Sequence, residues 1–232
     1  MKRALVLLTA LILLAALTLS GCASSKAGTA LTAADILGKS YDAMQAAKSF
    51  HFLLAHEGGG TPIGSGIEMT DVDGDIVRPD KLSAEITGTF MGSTVNASLV
   101  TVGDVTMMTN PMSGKWEVLP ASFKVLAVFD PGTGIGAIVN GLTGAALLAE
   151  EKIGDVLCYH IKGDIATPAL APLTGTTAKD GTVAAEVWVT KDSFTVQQIK
   201  LTGKITDTEK DGIVRTLTIS AYDKDVTIAL PA

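Results

Sequence analysis

From residue 49 onward the chain is a succession of short segments in which apolar and polar residues alternate, and this period of two constrains the fold more than anything else in the sequence. In "SFHFLLAHE", Phe50, Phe52 and Leu54 alternate with His51, Leu53 and Ala55. The segments "KLSAEITGTF", "STVNASLVTV", "DVTMMTN" and "GKWEVLP" follow, each short and bounded by Gly, Asn, Pro or Asp. Later "DVLCYHIKGDI", "TVAAEVWVT", "FTVQQIKLTGKI" and "IVRTLTISAY" repeat the pattern. A strand turns successive side chains to opposite faces, so a segment of this kind buries one face only. Closely spaced, such segments predict an antiparallel sheet. Asp73-Gly74, Asp180-Gly181 and Asp211-Gly212 read as two-residue hairpin turns, because Asp-Gly supplies the positive φ angles those turns require.

Two stretches depart from this period. Thr32, with Asp35 three residues on, has the form of a capping box. Ile36, Leu37, Tyr41, Met44 and Ala47 then recur at helical spacing, with Lys39, Asp42, Gln45 and Lys48 on the opposite face. The spacing predicts one amphipathic helix ending near Lys48. The second stretch lies between Pro120 and Lys152, where "ASFKVLAVFDP" and "GTGIGAIVNGLTGAALLAEE" read as helix with a turn at Asp130-Pro131. Strands in a row with two helical elements set against them make the fold class α+β.

The second stretch carries an ambiguity. Gly132, Gly134 and Ala137 fit G-x-G-x-x-A, and Glu150 and Glu151 lie where a dinucleotide-binding unit keeps its ribose carboxylate. That fingerprint works only between a strand and a helix that leads to a parallel strand. The neighbours here are antiparallel, and Pro131 fits poorly before the glycines. The sequence therefore predicts a helix of small and apolar residues, buried on all sides. Its glycines either admit another backbone closely or leave open volume beside the helix.

No constellation of reactive side chains emerges, so no catalytic residue, metal, cofactor or enzymatic activity is expected. Asp71 to Asp75, "DVDGD", has its glycine fourth rather than sixth, and the twelfth residue, Leu82, bears no carboxylate, unlike a calcium loop. His51, His56 and His160 form no zinc motif and read as surface or packed histidines. Cys158, in apolar "DVLCYHI", reads as a buried small hydrophobe.

The first residues, "MKRALVLLTALILLAALTLSGC", place Lys2 and Arg3 before an apolar run and end it in Leu19-Ser20-Gly21-Cys22. This resembles a lipoprotein signal with its lipobox. The resemblance implies cleavage before Cys22 and acylation of that cysteine. Two or three acyl chains anchor a protein stably, since each buried methylene contributes roughly 0.8 kcal/mol. The expected organisation is a signal over 1–21, a lipidated cysteine and flexible tether over 22–31, and a single domain over 32–232. Without Lys2 and Arg3 the chain keeps 16 basic against 24 acidic residues, a net charge of −8. Such a chain has no electrostatic footprint for nucleic acid, and its attachment to a membrane rests on the anchor.

The order of these features is familiar. A lipobox is followed by a helix ending in "AAKSFHFLL", then "GDIVRPDKL", a lone tryptophan in "SGKWEVLP", "FDPGTGIGAIV", "EEKIGDVLCYHIKGDI" and "AAEVWVTKDSFTVQQIKLTGKI". Over roughly residues 30 to 230 this resembles the LppX/LprA/LprF/LprG lipoproteins of actinobacteria, themselves similar to the LolA/LolB carriers. The resemblance implies a strongly curved antiparallel half-barrel with helices on its concave side, enclosing a hydrophobic cavity. It implies non-covalent binding of acylated envelope lipid or lipoglycan at the outer face of the cell membrane, with a membrane lipid exporter as a further partner; the alternative is a structural or chaperone-like envelope lipoprotein acting through protein partners. For the cavity lining, the strand faces nominate Phe50, Phe52, Leu54, Val95, Ala97, Leu99, Val183, Ala185, Val187 and Val189. The helical stretch adds Ile135, Ile138, Val139 and Leu142 to cover them. The helical segment is richer in glycine here than the family pattern, so cavity size and cargo do not carry over.

Overall fold

Thr32 caps the first helix in both directions. Its hydroxyl accepts from the Asp35 N–H at 3.1 Å, and the Asp35 carboxylate accepts from the Thr32 N–H at 2.9 Å. Helix α1 (Ala33–Ala46) buries Ile36, Leu37 and Met44 and exposes Lys39, Asp42 and Gln45, as its periodicity predicts. The computed structural model describes residues 30–62, 66–174, 177–178 and 180–231, without the side chains of residues 137 and 174. The signal, Cys22 and most of the tether lie outside the described residues.

Among the described residues thirteen strands follow: β1 (Ser49–Glu57), β2 (Thr61–Pro62), β3 (Ile67–Val77), β4 (Lys81–Phe90), β5 (Ser93–Val102), β6 (Val105–Thr109), β7 (Trp116–Val118), β8 (Thr143–Leu147), β9 (Glu151–Ile153), β10 (Val156–Ala166), β11 (Thr182–Thr190), β12 (Val196–Thr202) and β13 (Val214–Ser220). All pair antiparallel in one curved, unclosed sheet ordered β7-β6-β5-β4-β3-β1-β13-β12-β11-β10-β8, with β2 on β3 and β9 on β10. Thus the first strand pairs with the last, and each half of the chain meanders outward from that seam. The fold is α+β, a half-barrel with its helices on the inner face.

This topology explains the interruption between residues 120 and 142. β7 and β8 form opposite edges of the sheet, so the chain must cross the whole inner face to pass from one to the other. It crosses as a 3-10 turn, Val125–Phe129, and a short helix α2 (Ile135–Asn140). Phe129 lands mid-sheet, its ring 4.3 Å from that of Phe52 and 6.0 Å from that of Phe50. Arg78 holds the crossing in place, donating to the carbonyls of Met44, Ala47 and Phe129. Asp130 shapes the bend, accepting from the N–H groups of Gly132 at 2.9 Å and Thr133 at 2.7 Å. Those bonds hold its carboxyl below the ordinary value, that of the Thr133 backbone foremost.

The expected long helix is therefore corrected. Only six residues are α-helical, and "TGAAL" is strand β8 paired with β10. Gly144, at φ +62, favours a turn-like backbone there over a continuing helix. Gly134 and Gly136 answer the question that the motif raised. A Cβ on Gly134 would strike the carbonyls of Ala127 and Val128, and one on Gly136 that of Pro131. They are glycine because the crossing folds back upon itself, and no strand–helix–parallel strand unit exists around them.

The Asp-Gly turns are corrected too. Asp73-Gly74 lies inside β3, where Gly74 pairs with Phe52. An ideal Cβ on Gly74 would sit 2.8 Å from the Phe52 ring and 2.6 Å from the Ser83 carbonyl oxygen. The glycine makes room for an aromatic ring on the next strand. Asp180-Gly181 stands immediately before β11 and Asp211-Gly212 one residue before β13, each at the end of a longer connection. Two-residue turns stand elsewhere, at Met91-Gly92 between β4 and β5, Gly103-Asp104 between β5 and β6, and Gly154-Asp155 between β9 and β10, each with its glycine at positive φ.

Candidate functional site

Alternation places Phe50, Phe52, Leu54 and His56 of β1 on the inner face. Ile76, Gly74 and Val72 stand beside them on β3, and Ile219, Leu217 and Arg215 on β13. The outer face carries His51 with Asp73 and Asp75, and Glu85 across from Asp73. Between the inner face and the crossing lies a cavity of about 790 Å³. Its floor is Phe52, Leu54, Val72, Leu82, Ala84, Ile86, Leu99 and Met108, continued by Ile199, Leu201 and Leu217 across the seam. Its roof is Leu119, residues 122–125, Ala127, Val128, Phe129 and Ile138, with Ala171, Pro172 and Leu173 of helix α3 (Ala171–Thr174) closing one side. Pro62, Ser122, Phe123 and Lys124 line the cavity yet are solvent-exposed, so they mark its rim.

Of the nominated lining residues, the structure brings Phe52, Leu54, Leu99 and Ile138 to the cavity wall. Phe50 shares their face but is fully buried between Phe129 and Tyr222. Val95 and Ala97 lie at the far end of β5 beside a separate void of about 20 Å³. Ile135 and Val139 are buried in α2, and Leu142 stands against Gly163 beyond the helix. Val183, Ala185, Val187 and Val189 form a fully buried inner face of β11. The reason is where the helices sit. α1 packs on α2, β8 and β11 and fills that half of the sheet, leaving the other half open.

Away from the exposed Ser122 and Lys124 of the rim, the polar side chains of the cavity wall gather at one place. His56 and Arg215 are cross-strand partners at the end of the β1–β13 seam, and Thr61 of β2 stands beside them. Arg215 is 4% exposed and donates from Nη2 to Glu209 Oε1 at 2.5 Å; the Glu209 side chain is fully buried. The other Glu209 oxygen accepts from the Ile205 N–H at 2.8 Å. Arg215 Nε donates to Thr61 Oγ1 at 3.2 Å, and Nη1 to the Gly203 carbonyl at 3.3 Å. His56 places Nδ1 2.8 Å from the Thr70 carbonyl and Nε2 2.8 Å from Thr61 Oγ1. The carbonyl can only accept, so Nδ1 carries a hydrogen and Nε2 receives the Thr61 hydroxyl hydrogen. Burial pushes the His56 imidazole below its ordinary value, and the Arg215 charge adds to that against the opposing Thr70 bond.

Sequence reasoning missed this cluster. Its signal was present: His56 continues the register of Phe50, Phe52 and Leu54, and Arg215 that of Ile213, Leu217 and Ile219. Here the register holds, and the polar residues are buried or half-buried and paired with one another. Glu209 lies in the connection from β12 to β13, which has no period to betray it. Cys158 is buried as expected, and burial pushes its thiol up. Among the described residues, no helix is long and apolar enough to cross a membrane.

The family model for LppX_LprAFG lipoprotein matches residues 32–228. The chain is 26% identical over 241 residues to a protein of Mycolicibacterium hassiacum named lipoarabinomannan carrier protein LprG, covering all of both chains. It is 25% identical over 221 residues to the protein of that name from Mycobacteroides abscessus, covering 94% of this chain and 93% of the other. Among solved structures, LprF of Mycobacterium bovis superposes with a TM-score of 0.67 at 17% identity, covering 86% of this chain and 97% of that one. LppX of Mycobacterium tuberculosis gives 0.62 at 19% identity, covering 85% and 98%.

Proposed function

This chain belongs to the LppX_LprAFG lipoprotein family, and from that premise we propose that it is a membrane-anchored carrier of acylated envelope lipid or lipoglycan. The observation that carries the reading is the apolar cavity of about 790 Å³ under the crossing segment. A protein core is ordinarily packed with few voids larger than a water molecule. A volume of this size, lined mostly by apolar side chains, is a place for an apolar guest. Exposing acyl chains to water costs roughly 25 cal/mol per Å², and a dry cleft removes that cost while the rim leaves a polar head in solvent. The relatives' name, lipoarabinomannan carrier protein, points to the same class of cargo.

In this reading Cys22 is acylated and holds the domain at the extracytoplasmic face of the cell membrane. The small and polar residues after it serve as a flexible tether. A membrane lipid exporter is the natural supplier of cargo. The work is binding and presentation, and the cavity wall needs no catalytic group for it.

The test is native mass spectrometry of the protein purified from its own host, followed by lipid extraction. The expected result is a discrete added mass that resolves into acylated lipid. A bare protein mass that persists after incubation with host lipid extract rejects the proposal.

A further inference from the structure

Resting on the carrier reading, we infer that Arg215 is the recognition point for an uncharged ester oxygen of the cargo, so that esterified acyl lipids are selected over free fatty acids and phosphorylated heads at that point. A guanidinium has five N–H hydrogens. Three of those on Arg215 go to Thr61, Gly203 and Glu209, and two find no acceptor among the described residues. Arg215 lines the cavity, so an acceptor for them can come from a guest. His56 and Thr61 cannot compete for that role, because the Thr61 hydroxyl hydrogen is committed to His56 Nε2.

The charge of the site selects the chemistry. Glu209, buried and 2.5 Å from Arg215, already neutralises the guanidinium. A carboxylate or phosphate brought alongside would add a second anion to a desolvated pair that can balance only one. A neutral carbonyl accepts the remaining hydrogens without that penalty. The position suits an ester as well. Thr61 is followed directly by rim residue Pro62, while Leu54, Leu201 and Leu217 continue inward from the cluster. An acylated lipid has its ester at the same boundary, between apolar chains and polar head.

The experiment uses the chain from residue 22 onward carrying Cys22→Ser, and displacement of a fluorescent acyl probe. Three competitors of equal chain length are compared: a fatty acid methyl ester, the hydrocarbon and the free carboxylate at pH 8. The same series is run on Glu209→Leu/Arg215→Met, which removes the buried pair together and leaves no unpaired charge. The expected result is an ester-to-hydrocarbon affinity ratio about tenfold higher in the wild type than in the double variant, as one hydrogen bond from a charged donor supplies. The carboxylate should bind the wild type no more tightly than the ester. An unchanged ratio, or a carboxylate preferred over the ester, overturns the assignment while leaving the carrier reading intact. Should the double variant not fold, an ester that binds the wild type more weakly than its water-to-hydrocarbon transfer predicts overturns it equally. Failure of every acyl ligand to displace the probe, or of the probe to bind, rejects both readings.

Discussion

Arg215 and His56 sit opposite each other at the end of the seam, and each is polar in a register otherwise given to Phe, Leu and Ile. That placement has a thermodynamic signature. His56 is held neutral in the folded protein by burial and by Arg215, below the ordinary imidazole value of 6.5. The unfolded chain then binds more protons in that region, so stability rises with pH. The His56 contribution is complete above about 6.5 and is lost as pH falls through the lowered folded value. Urea unfolding measured between pH 7.5 and 5 should show this fall, and His56→Gln should flatten it. A slope unchanged by the substitution would assign the proton uptake elsewhere. These residues were legible as exceptions, because alternation tells which face a residue occupies. Their partners were not, since Glu209 reaches the site from an aperiodic connection.

At the scale of elements, β3 shows how a local signal is overruled. Asp-Gly is a strong turn signal in isolation. Here the need for glycine at position 74 comes from Phe52, more than twenty positions away in sequence but directly across the ladder. Single-sequence reading sees the dipeptide and not the ring above it. The distinction is testable, since alanine tolerates a strand backbone well but cannot fit under the ring. Gly74→Ala should destabilise the domain by about 1–3 kcal/mol, the usual cost of overpacking a filled core. Thermal unfolding measures the loss, and acyl probe binding should weaken with it because Phe52 forms part of the cavity floor. A variant as stable as the wild type would mean that the ring has another place to go. The crossing between β7 and β8 carries the same lesson. Its residues are largely small and apolar, as a buried helix's would be, yet most of it is irregular backbone stretched across the sheet, with residues 120–124 exposed. Length and hydropathy could be read, but the demand to span the sheet comes from topology.

For the molecule as a whole, the alternating segments were enough to give an antiparallel sheet with helices on one face. Which half of that face stays open was not readable, because α1 could in principle cover either. That choice sets the capacity. A methylene fills about the volume of a liquid water, ~30 Å³, so about 790 Å³ holds on the order of two dozen methylenes. That is one long acyl chain and part of another. Affinity for a series of single-chain esters should therefore climb by about fourfold per added methylene, the equivalent of ~0.8 kcal/mol each. It should level off once the chain outgrows the cavity. Isothermal titration across the series checks both the slope and the break. A series without a break would mean a floor that opens further under load.

The seam between β1 and β13 orders events in time. A chain made from its N-terminus offers β1 first, but the strand that flanks it on the other side is the last of the sheet. Leu217 and Arg215, both cavity residues, arrive with that final strand. Until then β1 has an unpaired edge, and the cavity wall lacks its side across the seam. At synthesis rates of about 5–20 residues per second, the interval between β1 and β13 lasts many seconds. Completion of the cavity is thus the last event in the making of the sheet, and the protein first offers its whole binding wall wherever that strand falls into place.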